Sequence, residues 1–247
     1  MSPIPFEVCI DTVESALAAE AGGASRVELC SALGEGGLTP SLGLMQVVRS
    51  RIRIPIAAMV RPRAGDFCYS DDEFEVMKRD LVALKEHGAD MIVLGLLMPD
   101  GTIDADRTRV LIELARPLPV TFHRAFDMAK DARASLETLI QLRCERVLTS
   151  GQEKSVLEGL DLLVDLVRQA GDRILVVPGG GITERNLPRI LRECSPKEFH
   201  VSASGTRDSR MEFRNSRIPM GRTLAASEYS VSVADSGRVR RFRSLAD

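Results

Sequence analysis

The chain has 247 residues, of which 44% are hydrophobic and 28% charged, with a formal net charge of −2. This is the balance of a soluble globular protein long enough to bury a core without staples. The absence of a positive excess argues against a general nucleic-acid binder and against a binder of anionic membranes.

Trp is absent and aromatics make up only 4%, so the core must rest on Leu, Val, Ile, Ala and Met. The opening Met1-Ser-Pro-Ile-Pro-Phe-Glu7 has no basic or strongly apolar stretch, so no secretory signal is expected. No apolar run approaches the roughly 20 residues of a membrane span. Five cysteines, none in a C-x-x-C pair, argue against a zinc ribbon or a disulfide framework. Reduced thiols in the cytosol are the expectation. The basic run Arg238-Val-Arg-Arg-Phe-Arg243 reads as a solvated helix face.

Taken in chain order, short β-branched runs alternate with helix-like segments. The runs are Phe6–Ile10, Arg26–Cys30, Ile56–Val60, Met91–Leu96, Val120–His123, Arg146–Thr149, Ile174–Val177 and Phe199–Ser202. Asp11-Thr-Val-Glu14 has the spacing of a capping box, opening a helix that Gly22-Gly23 should end. A second helix is expected over 41–51, and Ser70-Asp-Asp-Glu73 opens a third that closes at His87-Gly88. Further helices are expected near 105–116, 132–142, 155–170, 183–193 and 235–245. Eight strand–helix units without a domain-scale linker predict one domain over 1–247, an α/β fold closed as a single (β/α)8 TIM barrel. A doubly wound open sheet is the rival arrangement. Loop 61–70 and the long segment 203–230 would lie at the C-terminal face of the barrel, where such folds place their sites.

Side chains alternate across a strand, and the outer face of a barrel strand packs on helices. Phe6, Val8 and Ile10 therefore point out and Glu7 and Cys9 point in. The same parity sends Glu28, Cys30, Arg61, Thr121, His123, His200 and Ser202 inward. Barrel interiors are usually filled by Val, Ile and Leu, so this set is costly. A mutually satisfied polar core, with Arg61 neutralising one glutamate, is the structural account of it. A functional site is the other.

Cys9 and Cys30 lie on neighbouring strands and could share one soft ion if their heights match, and thiolate pairs select Cu(I). Cysteine is also a common small buried hydrophobe. Cys68, in loop 61–70, is a weaker third ligand, whereas Cys144 and Cys194 read as inert. Glu7, Glu28 and His123 form a candidate acid/base set, with Arg61 and Arg124 as partners for an anionic substrate. Asp127 is placed to orient a side chain at the rim. Gly179, Gly180 and Gly181, followed by Ile182-Thr183, could present N–H groups to a phosphate, with Ser202 nearby. A tight turn explains the same glycines. Gly34-Glu-Gly-Gly37 is a further flexible loop.

Several segments together resemble the CutC family, the copper homeostasis protein family. They are Val27-Glu-Leu-Cys30, Glu35-Gly-Gly-Leu-Thr-Pro-Ser41, Arg61-Pro-Arg63 with Gly65-Asp-Phe67, Tyr69-Ser70, Thr121-Phe-His-Arg-Ala-Phe-Asp127, Val147-Leu-Thr-Ser-Gly151 and Pro178-Gly-Gly-Gly-Ile182. Ala64 stands where the family usually has a second glycine. The resemblance implies a TIM barrel, a cytoplasmic location (in animals also nuclear), a homo-oligomer such as a dimer or tetramer, and copper as partner. It also implies Cu(I) held by Cys9 and Cys30. Two thiols suffice for Cu(I), so the acids, the bases and the glycine loop leave a second reading open. In that reading the chain is an enzyme acting on a small anionic or phosphorylated metabolite.

Overall fold

The computed structural model describes residues 3–215 and 230–247. Eight parallel strands occur as β1 (Phe6–Ile10), β2 (Arg26–Leu29), β3 (Ile56–Met59), β4 (Met91–Leu94), β5 (Val120–Phe122), β6 (Arg146–Thr149), β7 (Leu175–Pro178) and β8 (Phe199–Val201). They pair in the order β7-β6-β5-β4-β3-β2-β1-β8, and a parallel bridge from Gly179 to His200 closes the ring. Around them run α1 (Val13–Ala21), α2 (Leu42–Arg51), α3 (Asp71–Glu86), α4 (Ala105–Ala115), α5 (Ala132–Gln141), α6 (Leu160–Ala170), α7 (Leu187–Cys194) and α8 (Ser236–Ala246). The expected (β/α)8 barrel is the fold. None of these helices is long and apolar enough to cross a membrane.

The parity argument holds strand by strand. Phe6, Val8, Ile10, Val27, Leu29, Ile56, Ala58, Val120, Phe122, Phe199 and Val201 belong to one large core between sheet and helices. Cys30, Ala57, Met59, Met91 and Val93 form a separate small cluster inside the barrel. Phe6 and Phe199 are register partners, and their rings stack at 5.3 Å between centroids. Such a pair adds about 0.5–1.5 kcal/mol beyond its buried area.

Caps account for most helix starts. Ser70 and Glu73 form the expected capping box of α3. At α1 the cap is Thr12 rather than Asp11: its Oγ1 accepts from Ser15 N–H at 3.0 Å, so the expected Asp11–Glu14 box is not made. Two helices start later than their apolar pattern implied. Segment 155–159 is held by other bonds, with Val156 N–H donating to the Gly180 carbonyl, and α6 begins at Leu160. Asn186 caps Thr183 N–H through its side chain at 2.8 Å, and α7 begins at Leu187.

The long segment after β8 carries structure of its own. Part of it is an antiparallel hairpin of β9 (Ser204–Asp208) and β10 (Ser230–Ala234). The Ser-Val-Ser-Val alternation of β10 was the available signal. Residues 216–229 of that segment lie outside the described residues, as do Met1 and Ser2 of the N-terminal reading.

Candidate functional site

At the lower end of the barrel, four charges meet. Glu7 is 1% exposed. Its Oε2 lies 3.0 Å from Arg26 Nε and 3.3 Å from Arg146 Nη1. Glu198 receives the same two guanidiniums, Arg146 Nη2 at 2.9 Å and Arg26 Nη2. Two carboxylates thus balance two guanidiniums, the condition under which burial of charge is tolerated. Burial opposes ionisation of Glu7, but Arg146, His200 and Arg26 outweigh it and hold its carboxyl far below the usual range. Arg61 was the expected neutralising partner of a glutamate, and it is not: Arg26 and Arg146 fill that role. Their inward parity, in phase with Glu28 and Leu148, was the signal for them.

Level with Glu7 on β8, His200 Nδ1–H donates to Glu7 Oε1 at 2.8 Å, which leaves Nε2 on the other side, 3.9 Å from Glu28 Oε2. Donor atoms of Cys9, Glu28 and His200 all lie within 4.8 Å of one another. Register explains the grouping. Glu7 pairs with His200 and Cys9 pairs with Glu28, so β8 and β2 bring their donors to β1 in two consecutive inward layers. Burial disfavours the His200 cation, yet Glu28, Cys9 and Glu7 together raise its pKa well above the ordinary value. Burial pushes the Glu28 carboxyl upward, with Glu7 adding to the shift and His200 offsetting part of it.

Cys30 stands two residues beyond Glu28, roughly 6.6 Å further along the strand direction. Its thiol is fully buried in the interior cluster with Met59 and Met91, with Sγ 3.6 Å from Glu28 Oε2. Burial, then Glu28, raises its pKa well above the usual thiol value. Cys9 and Cys30 are therefore inward neighbours at different heights. Of the other cysteines, Cys68 is exposed on loop 61–70, while Cys144 and Cys194 are buried. Burial raises the last two thiols to about 12 and about 11.

Above Cys9, Glu28 and His200 opens a cavity of about 690 Å³. Arg61, His123, Arg124, Gly180, Gly181 and Ser202 also line it, whereas Glu7, Cys30 and Gly179 do not. Arg61 Nη1 donates to the carbonyls of Glu35 and Gly37 at 3.0 and 3.1 Å, and Nη2 donates to that of Gly65 at 2.9 Å. Gly36 lets the loop come this close: its φ is +87°, and a Cβ there would lie 3.1 Å from Arg61 Nη1. His123 Nδ1 accepts from Ala125 N–H at 3.1 Å. Burial, assisted by Arg61, lowers its pKa to about 3, so the ring is neutral with its proton on Nε2. Among the described residues, His123 Nε2, Arg61 Nε and Glu28 Oε1 have no hydrogen-bond partner.

Asp127 does orient the rim. Its carboxylate accepts from Arg124 Nε at 2.7 Å, Ser150 N–H at 3.1 Å, Ser150 Oγ at 3.0 Å, Gln152 N–H at 3.1 Å and Thr149 Oγ1. Arg124 is thereby fixed against Gly180, whose φ of +113° and 3.2 Å clearance to Arg124 Cζ admit no side chain. Gly179 sits in the bridge to His200, and Ser202 is exposed at the cavity wall.

A family model described as the CutC family matches residues 4–205. The copper homeostasis protein cutC homolog of Homo sapiens is 57% identical over 241 residues, covering 98% of this chain and 88% of that one. A CutC family protein of Parabacteroides distasonis is 43% identical, covering 96% of this chain and 98% of its own. Among solved structures, a CutC protein of Streptococcus agalactiae superposes with a TM-score of 0.76 at 32% identity, covering 81% of this chain and 98% of that one. The chain belongs to the CutC family.

Proposed function

We propose that this chain is a cytoplasmic copper homeostasis protein that takes Cu(I) as its cargo at the base of the cavity. Cys9 Sγ is the principal ligand, and His200 Nε2 and the Glu28 carboxylate complete the set. The observation that carries this reading is the grouping of those donors within 4.8 Å of one another. Thiolate and imidazole suit copper, and a carboxylate on the far nitrogen of a ligating histidine is the usual means of fixing its ring. Glu7 occupies that position at 2.8 Å. The names carried by the relatives support copper homeostasis as the role. Cys30 is the further thiol of the two-cysteine reading, which its place one layer above Glu28 makes the less direct of the two.

Anaerobic titration with Cu(I) against a competing chelator tests this. Cys9→Ser should weaken binding by about 100-fold or more, and Glu7→Gln by about 10- to 100-fold through the loss of ring orientation. If Cys30→Ser binds as the parent does and His200→Gln does not, the Cys9–His200–Glu28 set holds the ion. If Cys30→Ser falls as far as Cys9→Ser, the two thiols do. Unchanged affinity in the Cys9→Ser, Cys30→Ser double variant rules out both.

A further inference from the structure

Copper at Cys9, His200 and Glu28 leaves the β3 and β5 side of the cavity without a role. Arg61 is 6% exposed. Its guanidinium hydrogen-bonds to three carbonyl groups and lies over the Phe67 ring, and no carboxylate among the described residues pairs with it. Carbonyls orient a guanidinium but supply only partial charge, so a full positive charge stays unbalanced in the wall. Arg146, equally enclosed, and the half-buried Arg26 each meet two carboxylates.

His123 stands beside it, 4% exposed, with a proton on Nε2 and no acceptor. The Phe67 ring lies against both groups, 4.9 Å from Arg61 Cζ and 5.1 Å from the His123 ring. Across the mouth, after β7, four strands from β3 and two from β5, the backbone N–H groups of Gly180, Gly181 and Ile182 find no acceptor among the described residues. The opposing walls therefore both present donors, and one adds an uncompensated cation.

We propose that the cavity is a binding site for a small organic anion. Its carboxylate or phosphate group lies against Arg61 and the His123 Nε2–H, and its other polar end meets the N–H groups of residues 180–182. This site shares the cavity with the proposed copper ligands but uses other groups, so each can be lost without the other.

Calorimetric titration of the full chain with inorganic phosphate and, separately, with malonate tests the proposal. One saturable site per chain is expected for at least one probe. Phosphate alone points to a phosphorylated ligand, malonate alone to a carboxylic acid, and both to a site that reads charge. Arg61→Gln and His123→Phe should each weaken binding by about tenfold or more, the scale of one charge-assisted hydrogen bond. Both should keep the parent's Cu(I) affinity, and Cys9→Ser should keep the anion. Should either variant fail to fold, the ¹⁵N shift of His123 Nε2 in the parent must still move on saturation with the bound probe. Absence of binding by both probes, an unmoved Nε2 resonance, or equal affinity in both variants overturns the proposal.

Discussion

The lower end of the barrel and its mouth bury similar groups to opposite effect. Below, Glu7, Glu198, Arg26 and Arg146 compensate one another, with two carboxylates against two guanidiniums. Above, Arg61 has carbonyls and the Phe67 ring but no carboxylate, and His123 Nε2 and Glu28 Oε1 have neither a hydrogen bond nor an ion pair among the described residues. Polar residues inside a barrel are thus not of one kind. Charge that is closed on itself holds the fold, and charge left open is available to a ligand.

Three substitutions sharpen this comparison, in order of expected effect. Arg146→Ala should destabilise the protein by about 3–5 kcal/mol in urea denaturation, because Glu7 and Glu198 lose a buried partner. A loss below about 1 kcal/mol would mean the lower network is not what holds the barrel end together.

The second concerns acid. Glu7 is held below its ordinary 4.5, so its contribution is complete above pH 4.5 and is lost as pH falls further. His123 is depressed from 6.5 to about 3, so its contribution is complete above pH 6.5 and declines on the way down to about 3. Stability measured against pH should therefore flatten between 6.5 and 4.5 in His123→Phe, whereas Glu7→Gln should leave that window sloped and flatten below 4.5. Parallel curves for the two variants would contradict the separation.

The smallest effect is expected at neutral pH for His123→Phe. Loss of the bond from Ala125 and relief of the unpartnered Nε2–H oppose each other, leaving a change within about 1 kcal/mol. Chemical denaturation reads it directly, and a loss of Arg146 size would make His123 a structural residue.

The barrel itself was legible because eight short apolar runs alternated with helical segments, and strands β1, β2, β3, β5 and β8 carried a period of two. That period also gave the inward set, down to His123 and His200. It could not give height. The E-x-C pattern on β1 and β2 suggests that Cys9 and Cys30 stand level, but the stagger of a closed sheet pairs Glu7 with Arg26 and Cys9 with Glu28. The companions of Glu7 were missed for a related reason. Arg26, Arg146 and Glu198 begin their strands or precede them, where a charged residue reads as the end of a loop. Extending the inward phase one step toward the N-terminal end of each strand would have included all three.

The carboxylate of Asp127 has a practical consequence for anyone recombining this chain with its relatives. It gathers donors from residues 124 and 149–152 at once, and segment 155–159 is bound in turn to the Gly180 carbonyl. The connections following β5 and β6 are therefore not interchangeable parts. A chimera that imports one without the other strands an anionic carboxylate among mismatched donors, so crossover points belong before residue 121 and after residue 182, with the stretch between inherited as a single cassette.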